Sequence, residues 1–154
     1  MNPAPQVEKV APIRKSVVVR RKPEEAFSIF TERLSSWWPH KTHSLFKDKA
    51  ATVVMEPRIG GKLYEISESG ERQEWGAIVT WDPPRRLVTT WHPGMDPANP
   101  TEVEIRFTAV SDGTRVDLEH RNWEKLGARA AESREGYDKG WVAVFEESFV
   151  KGCA

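Results

Sequence analysis

The sequence lacks three features that would place it in a specialised class of protein. It contains a single cysteine, Cys153, so no intramolecular disulfide can form and the chain does not require an oxidising compartment. Its 23 basic and 23 acidic side chains leave no net charge, which argues against binding to nucleic acid or an anionic membrane. No run approaches the roughly 18 apolar residues of a membrane span, and the first residues lack a signal-peptide pattern. We therefore expect a cytoplasmic protein.

Motifs with a strong chemical signature are also missing. The sequence has no glycine-rich phosphate loop and no nucleophile elbow. His40 and His43 have a spacing that suits two metal ligands, but no third or fourth ligand follows at a usual interval. We therefore expect neither a metal site nor a cofactor, and we place the two histidines in a solvated loop.

The composition is that of an ordinary globular domain. Of the 154 residues, 38% are hydrophobic and 30% are charged. A domain of this size can bury roughly 70% of the surface that its unfolded chain would expose. Residues 1–12 contain three prolines and are predicted to form a flexible arm, whereas residues 13–154 are predicted to form a single domain.

The beginning of this domain has the pattern of one strand followed by two short helices. The valines at positions 17–19 give residues 13–20 the β-branched density of a strand. Pro23 suits the first position of a helix, and apolar residues then repeat at helical spacing. A second, shorter helix follows and ends at Pro39.

Residues 51–122 have the pattern of a strand meander. Turn signals rich in glycine and proline divide this region into six strands, which makes seven with the first strand. Because most connections are hairpins, the sheet is predicted to be antiparallel. Residues 102–109 alternate apolar and polar side chains, so one face of the sheet is expected to be buried and the other wet.

The C-terminal region predicts one long helix. Residues 126–152 contain no proline and carry an aromatic stripe at helical spacing. Gly136 and Gly140 interrupt this pattern, which predicts either a bend or a helix that begins in earnest only near Tyr137. A curved antiparallel sheet of seven strands wrapped around one long helix is an α+β fold of the helix-grip type.

A bent sheet around a single helix leaves space on its concave face. This space is either filled by large side chains or kept as a pocket, and the seven tryptophans of the sequence suit either purpose. As a set they favour a pocket, because ligand sites are concave and lined by aromatic and aliphatic groups with a few polar groups. We expect the loop with His40 and His43 at its mouth.

Turn geometry predicts which polar side chains reach this space. A turn at residues 68–71 would place Glu65 directly opposite Glu74 on one face of the sheet. A two-residue turn at Asp112-Gly113 would align Ile105 with His120 and place the histidine on the core side.

The interior face of the fourth strand is open to two assignments. We assign the face of Glu74 and Trp91 to the interior, although the face of Trp75 is no less apolar. Two opposed carboxylates in a partly dry space would raise the pKa of at least one of them, unless an arginine such as Arg134 pairs with them. The alternative is that Glu65 and Glu74 lie on a solvated rim of the sheet.

A combination of motifs resembles the SRPBCC (START-like) superfamily over residues 13 to 152. The motifs are Gly60-Gly61, Trp75-Gly76, the run from Trp81 to Val88 with its Pro83-Pro84 pair, Trp91, Gly113 to Val116, Leu118 to His120, and Gly140-Trp141. Within the superfamily the chain is most similar to the branch named after the activator of Hsp90 ATPase homologue 1. The run Trp37-Trp38-Pro39 resembles a bacterial single-domain subgroup of that branch.

The resemblance implies a START-like, Bet v 1-like fold with a deep pocket under the C-terminal helix. Such pockets hold lipids, steroids, polyketides or other apolar molecules, and a minority of members are cyclases, aromatases or hydrolases without a cofactor. The co-chaperone that gives the branch its name carries a separate Hsp90-binding domain, for which 154 residues leave no room. No catalytic set is shared across the family, so the resemblance transfers none.

Three functional hypotheses follow. The first is a binding module for a small hydrophobic or aromatic ligand, whose site is predicted to comprise Glu65, Glu74, Ile78, Trp91, Ile105, Phe107, Leu118, His120, Tyr137, Trp141 and Phe145. The second is a cofactor-independent enzyme in the same cavity, with Glu74 or His120 as base and Tyr137 as proton donor. His120 equally suits a hydrogen-bonded core residue.

The third hypothesis is a stress-response or chaperone-interaction protein, which predicts a filled interior and an exposed apolar patch. The expected partner is a small apolar or aromatic molecule, with a homodimer left open, and neither nucleic acid nor membrane insertion is expected.

Overall fold

The structure, a computed structural model, describes residues 10–154, so most of the predicted arm at residues 1–12 lies outside the described residues. Seven strands form one sheet: β1 Ile13–Val19, β2 Ala50–Met55, β3 Lys62–Ser67, β4 Arg72–Asp82, β5 Arg86–Trp91, β6 Thr101–Val110 and β7 Gly113–Arg121. Neighbouring strands are antiparallel and their order is β1-β7-β6-β5-β4-β3-β2. The sheet curls into a half-barrel, which confirms the predicted seven-stranded helix-grip fold.

Two short helices connect β1 to β2, as predicted. Helix α1 (Pro23–Phe30) begins with the proline at its first turn, where the missing N–H costs nothing, and buries Phe27 and Phe30 against the sheet. Helix α2 (Leu34–Trp37) is a single turn, after which Trp38 adopts an extended conformation ahead of Pro39. The chain therefore leaves the core at Trp38 and enters a loop, residues 39–46, that we call the mouth loop.

The C-terminal helix begins before Tyr137, so the prediction that it starts near that residue is wrong. A 3₁₀ segment (Trp123–Arg129) is broken at Gly127, which has a φ of 58°. Helix α3 (Ala130–Trp141) starts directly after it, continues as a π-helical segment (Val142–Phe149) and ends in the short helix α4 (Val150–Gly152). The two inner glycines therefore do not delay the helix, and the departure from α geometry follows them. No helix within residues 10–154 has the length and apolar character needed to cross a bilayer.

The β3–β4 hairpin has a different register from the predicted one. Glu65 pairs with Gln73 rather than with Glu74, because the Ser67 N–H donates to the Glu71 carbonyl oxygen (2.8 Å), so Ser67 lies opposite Glu71 and not opposite Arg72. A shift of one residue places a side chain on the opposite face of a strand. Glu65 is therefore completely buried, whereas Glu74 is partly exposed and lies 3.2 Å from the Lys62 ammonium. The predicted pair of opposed carboxylates does not exist.

Strand β4 contains two irregularities that interrupt the alternation of inward and outward side chains. Leu63 pairs with Gly76 and the next pair is Tyr64 with Glu74, so Trp75 is an extra residue at a β-bulge. A second register shift lies between Ile78 and Thr80. Trp75 and Ile78 are both buried, although regular alternation would place them on opposite faces. Neither of the two proposed faces is therefore continuous.

The β6–β7 hairpin is also displaced from its predicted register, but by two residues. Ile105 pairs with Leu118 rather than with His120, and His120 pairs with Val103. Because a shift of two residues preserves the face of the sheet, His120 still points into the core and is fully buried. Gly113 opens β7 next to β1, where a Cβ would lie 2.0 Å from the Val19 carbonyl oxygen.

The outer face of β5, β6 and β7 carries a network of ion pairs. Its centre is Glu104, which is buried beneath the side chains of Arg86, Arg106 and Arg121. Burial by itself would raise the pKa of the Glu104 carboxyl, but hydrogen bonds from the three guanidinium groups outweigh it and lower the pKa to about 2. The outer face is therefore polar, as the alternation in β6 predicts.

Candidate functional site

The interior between sheet and helix has two ends of different character. At the first, which we call the filled end, the rings of six aromatic residues pack together: Phe27, Phe30, Trp37, Phe107, Phe145 and Phe149. Phe145 stacks on Phe149 with 5.7 Å between ring centroids and is completely buried. Phe107 and Phe145 were predicted to contact a ligand, and the structure places both in this packed cluster.

The second end, which we call the open end, contains a cavity of about 470 Å³. The cavity lies between the C-terminal helix, the mouth loop and the ends of β4 and β5. Its lining consists of Trp38, Thr42, His43, Ser44, Leu45, Trp75, Trp91, Pro93, Arg129, Glu132, Ser133, Gly136, Tyr137, Gly140, Trp141 and Val144.

Four tryptophans form the inner wall of this cavity. The ring centroids of Trp38 and Trp75 are 4.9 Å apart, those of Trp75 and Trp91 5.5 Å, and those of Trp91 and Trp141 5.3 Å. Each comes from a different element, and the bulge in β4 is what turns Trp75 inward. Their interlocked rings leave each residue no more than 7% exposed. The wall is therefore a preformed aromatic surface.

Glu65 holds the mouth loop over the cavity. Its carboxylate accepts hydrogen bonds from the backbone N–H groups of Leu45 (2.6 Å) and Phe46 (3.2 Å) and from Trp75 Nε1 (2.9 Å). These three hydrogen bonds satisfy the buried carboxylate. Arg134, which we considered as a partner, instead donates to the backbone carbonyl oxygens of Ala11 and Pro12. Glu65 is thus a support for the site, behind its wall.

The two histidines of the mouth loop hydrogen-bond to nearby hydroxyl groups, one on α2 and one in the loop itself. His40 Nε2 lies 2.9 Å from Ser35 Oγ, and His43 Nδ1 lies 2.8 Å from Thr42 Oγ1. Burial lowers the pKa of His40. Within the part of the chain that the structure describes, no three histidine, cysteine or acidic side chains converge as metal ligands.

His120 lies behind the tryptophan wall and does not line the cavity. Trp141 Nε1 donates to its Nδ1 (3.0 Å), so Nε2 carries the proton and donates to Thr101 Oγ1 (2.7 Å). The threonine hydroxyl in turn donates to the backbone carbonyl oxygen of Trp91 (2.8 Å). Burial lowers the pKa of His120 to about 3, which keeps it neutral. The histidine therefore fixes Trp141 and, through Thr101, the backbone at Trp91.

Tyr137 provides a polar group on the helix side of the cavity. Burial raises the pKa of its phenol, an effect that the nearby Trp91 indole partly offsets. Within residues 10–154, Trp91 Nε1 and Ser44 Oγ are the buried side-chain polar atoms that have no hydrogen-bond partner. Both residues line the cavity.

The structure brings three of the eleven predicted site residues to the cavity, namely Trp91, Tyr137 and Trp141. Ile105 borders a cleft of only about 10 Å³ behind the wall. The others lie in the packed core or, in the case of Glu74, away from the cavity. Sequence reasoning missed Trp38, Trp75 and Ser44. The Trp37-Trp38-Pro39 run was a usable signal for the first, because a tryptophan before a proline leaves a helix in extended form.

A family profile described as activator of Hsp90 ATPase homolog 1-like protein matches residues 20–151. The chain belongs to this family. The match confirms the resemblance found in the sequence, and the helix-grip fold of this family commonly binds small hydrophobic ligands. Comparison with curated proteins gives no match.

Solved structures show two relatives at 33% sequence identity. One is the anthrahydroquino-γ-pyrone synthase Txn09 complexed with SUM, which aligns over 94% of this chain and 97% of that chain with a TM-score of 0.66. The other is the self-sacrificing resistance protein CalC from Micromonospora echinospora, with coverage of 91% and 92% and a TM-score of 0.64. A Bacillus halodurans protein at 18% identity, with coverage of 95% and 99% and a TM-score of 0.68, shows the common fold alone.

Proposed function

We propose that this family member binds a small, largely apolar aromatic molecule in the cavity at the open end. The observation that carries the proposal is a space of about 470 Å³ whose wall is made of four interlocked tryptophans. Ligand pockets are typically about 300–1,000 Å³, concave, and lined by aromatic groups with a few polar atoms. The size and lining of this cavity meet each of these criteria.

Side chains do not fill the open end of the interior, and this supports a binding role. The filled end shows that the chain can close its interior with aromatic side chains where no space is required. At the open end, Gly136 and Gly140 on α3 line the cavity, and a Cβ at either position would meet nothing within 4 Å. Larger residues would fit there, so their absence keeps the cavity open.

One of the two relatives at 33% identity favours an aromatic ligand. The name of one describes a synthase of an anthrahydroquino-γ-pyrone, and that of the other describes a resistance protein. The first name denotes a fused-ring aromatic compound. The tryptophan wall of this chain offers such a compound offset and edge-to-face contacts.

A cofactor-independent enzyme in the same cavity is the second candidate, favoured by the position of Tyr137. Because burial raises the pKa of its phenol, Tyr137 is protonated at neutral pH and suits a proton donor. The two bases that we considered lie elsewhere, since Glu74 pairs with Lys62 and both ring nitrogens of His120 are engaged. Binding is therefore better supported than proton abstraction. The interaction hypothesis predicted a filled interior, and the cavity at the open end does not match it.

The first test is native mass spectrometry of the protein purified from its own host, followed by denaturation to identify anything released. We expect a non-covalent adduct of a few hundred daltons. Titration with 1-anilinonaphthalene-8-sulfonate, a fluorescent probe of apolar sites, measures the cavity directly. Gly140→Leu should abolish probe binding by filling the cavity.

The matched control is Ala131→Leu, which adds leucine to an exposed position of the same helix and should leave probe binding unchanged. An empty protein that binds no probe, or a Gly140→Leu variant that binds it as well as the wild type, would contradict the proposal.

A further inference from the structure

The tryptophan wall contains four indole N–H groups, and the protein encloses all of them. Three are held by acceptors of the protein itself: Trp38 Nε1 by the His43 carbonyl oxygen (3.1 Å), Trp75 Nε1 by Glu65 (2.9 Å) and Trp141 Nε1 by His120 (3.0 Å). The fourth, Trp91 Nε1, is buried. Because the N–H is the single polar group of an indole, the wall offers a ligand only the apolar part of its rings.

The polar atoms next to the wall are turned away from a ligand in the same way. Trp91 Nε1 has the Tyr137 phenol as a hydrogen-bonding neighbour, which partly offsets the effect of burial on the pKa of that phenol. An N–H only donates, so the phenol oxygen is the acceptor of this pair. Ser44 Oγ is buried as well. The inner end of the cavity is therefore apolar.

The other polar side chains of the lining lie at its outer rim. They come from the mouth loop and from the start of the C-terminal helix, and they are Thr42, His43, Arg129, Glu132 and Ser133. Each of them is at least partly exposed, whereas the four tryptophans are no more than 7% exposed. Arg129 and Glu132 have opposite charges, so the rim is polar without favouring one sign of charge. The cavity thus has an apolar inner end and a polar outer end.

The two ends treat a polar group of a ligand differently. A hydroxyl placed against the wall loses its water and finds no indole N–H to replace it, which should weaken binding about 5- to 100-fold. A hydroxyl placed at the rim stays in contact with water or with the polar side chains there, so it costs little. The position of polar groups on the ligand therefore matters more than their number.

We propose that the ligand is an aromatic molecule with its polar substituents at one end only. Its unsubstituted rings lie against the tryptophan wall, and its polar substituents lie at the rim between the mouth loop and the start of α3. This inference rests on the proposed function and adds the chemical class of the ligand and its orientation in the cavity.

The test compares two isomers, 2,3-dihydroxynaphthalene and 2,6-dihydroxynaphthalene, in their ability to displace bound 1-anilinonaphthalene-8-sulfonate. Both carry two hydroxyl groups, but only the first carries them at the same end. The wild type should bind the 2,3-isomer about 5- to 100-fold more tightly, because the 2,6-isomer must either bury a hydroxyl against the wall or give up its contact with the wall. Equal affinities, or a preference for the 2,6-isomer, would overturn the inference.

A variant tests whether the apolar inner end causes this preference. Val144 lines the cavity and is 3% exposed, so Val144→Thr adds a hydroxyl there with little change in shape. It should reduce the preference for the 2,3-isomer about 3- to 10-fold, the range expected for one new hydrogen bond. Val142→Thr is the matched control, since Val142 lies on the same π-helical segment but outside the lining, and it should leave the preference unchanged.

The wild-type preference stands as a test even if Val144→Thr fails to fold. A folded Val144→Thr protein with the wild-type preference, or an equal change in Val142→Thr, would overturn the inference. If the fluorescent probe binds but neither isomer displaces it, the inference fails and the proposed function stands. If the fluorescent probe does not bind either, the proposed function fails as well.

Discussion

The filled end and the open end of the interior are built from the same kinds of side chain but differ in how they are completed. At the filled end, phenylalanine rings from α1, β6 and the π-helical segment close on one another. At the open end, tryptophans pack with tilted rings in a wall, and the facing helix carries two glycines. Two buried polar atoms there have no hydrogen-bond partner within residues 10–154. The filled end is packed as a stable core is, whereas the open end leaves the space in which we propose that the ligand binds.

The largest effect is expected at the filled end. Phe145→Ala should lower the free energy of unfolding by about 3–5 kcal/mol, because it removes a fully buried ring that stacks on Phe149. Urea denaturation measures this loss. The matched change at the open end is Leu45→Ala, which truncates a 39% exposed side chain over the cavity and should cost less than about 1 kcal/mol. Similar losses in the free energy of unfolding for the two variants would contradict the distinction between the filled end and the open end.

A second test concerns the two glutamates of the β3–β4 hairpin. Glu65→Gln should lower the free energy of unfolding by about 1.5–3 kcal/mol, because an amide cannot accept from all three N–H donors as a carboxylate does. The amide protons of Leu45 and Phe46 should exchange faster with deuterium. Glu74→Gln is the control and should change stability by less than about 1 kcal/mol, since it breaks only a partly exposed ion pair. Equal effects would show that Glu65 does not hold the mouth loop.

His120, which lies behind the tryptophan wall, should make the free energy of unfolding depend on pH. The pKa of His120 is about 3 in the folded chain and near its ordinary value of 6.5 in the unfolded chain. Below pH 6.5 the unfolded chain therefore binds a proton that the folded chain does not. Stability is full above pH 6.5 and falls as the pH decreases towards 3, by about 2 kcal/mol at pH 5.

Thermal or urea unfolding between pH 7 and pH 5 measures this decline, and His120→Gln should reduce its slope. A wild-type protein as stable at pH 5 as at pH 7 would show that His120 is not held neutral in the folded state.

The smallest effect is expected at Gly136 and Gly140 on α3, and it has the opposite sign. Gly136→Ala and Gly140→Ala should each raise the free energy of unfolding by about 0.5–1 kcal/mol, because alanine favours the helix and its methyl group meets open space. Both should weaken binding of the fluorescent probe by narrowing the cavity. Loss of stability in either variant would mean that these glycines are required for packing, which would contradict the contrast between the two ends.

The registers of two hairpins were predicted wrongly, and the sizes of the two errors show what the sequence determines. The β6–β7 register was wrong by two residues, which left His120 on the correct face. The β3–β4 register was wrong by one residue, which moved Glu74 to the wrong face. Alternation along a strand is a local property that the sequence displays, whereas the length of a turn depends on hydrogen bonds that many sequences can form.

The candidate site was less accessible to prediction than the fold for the same reason. Trp75 reaches the cavity because of a bulge, and Ser44 reaches it because the mouth loop bonds to Glu65, which is 20 residues beyond Leu45 in the chain. Neither feature has a local sequence pattern. Trp91, Tyr137 and Trp141 were found because strand and helix periodicity determine which way they point.

The sequence by itself determined the order of the elements, the antiparallel meander, the long closing helix and the aromatic character of the interior. These features follow from side-chain periodicity, turn residues and β-branched density, which act over a few residues. Only the tertiary structure decided which end of the interior is filled, where the bulge turns Trp75 inward and which residues line the cavity. These depend on contacts between residues far apart in the chain, whose geometry is fixed only when sheet, loop and helix pack together.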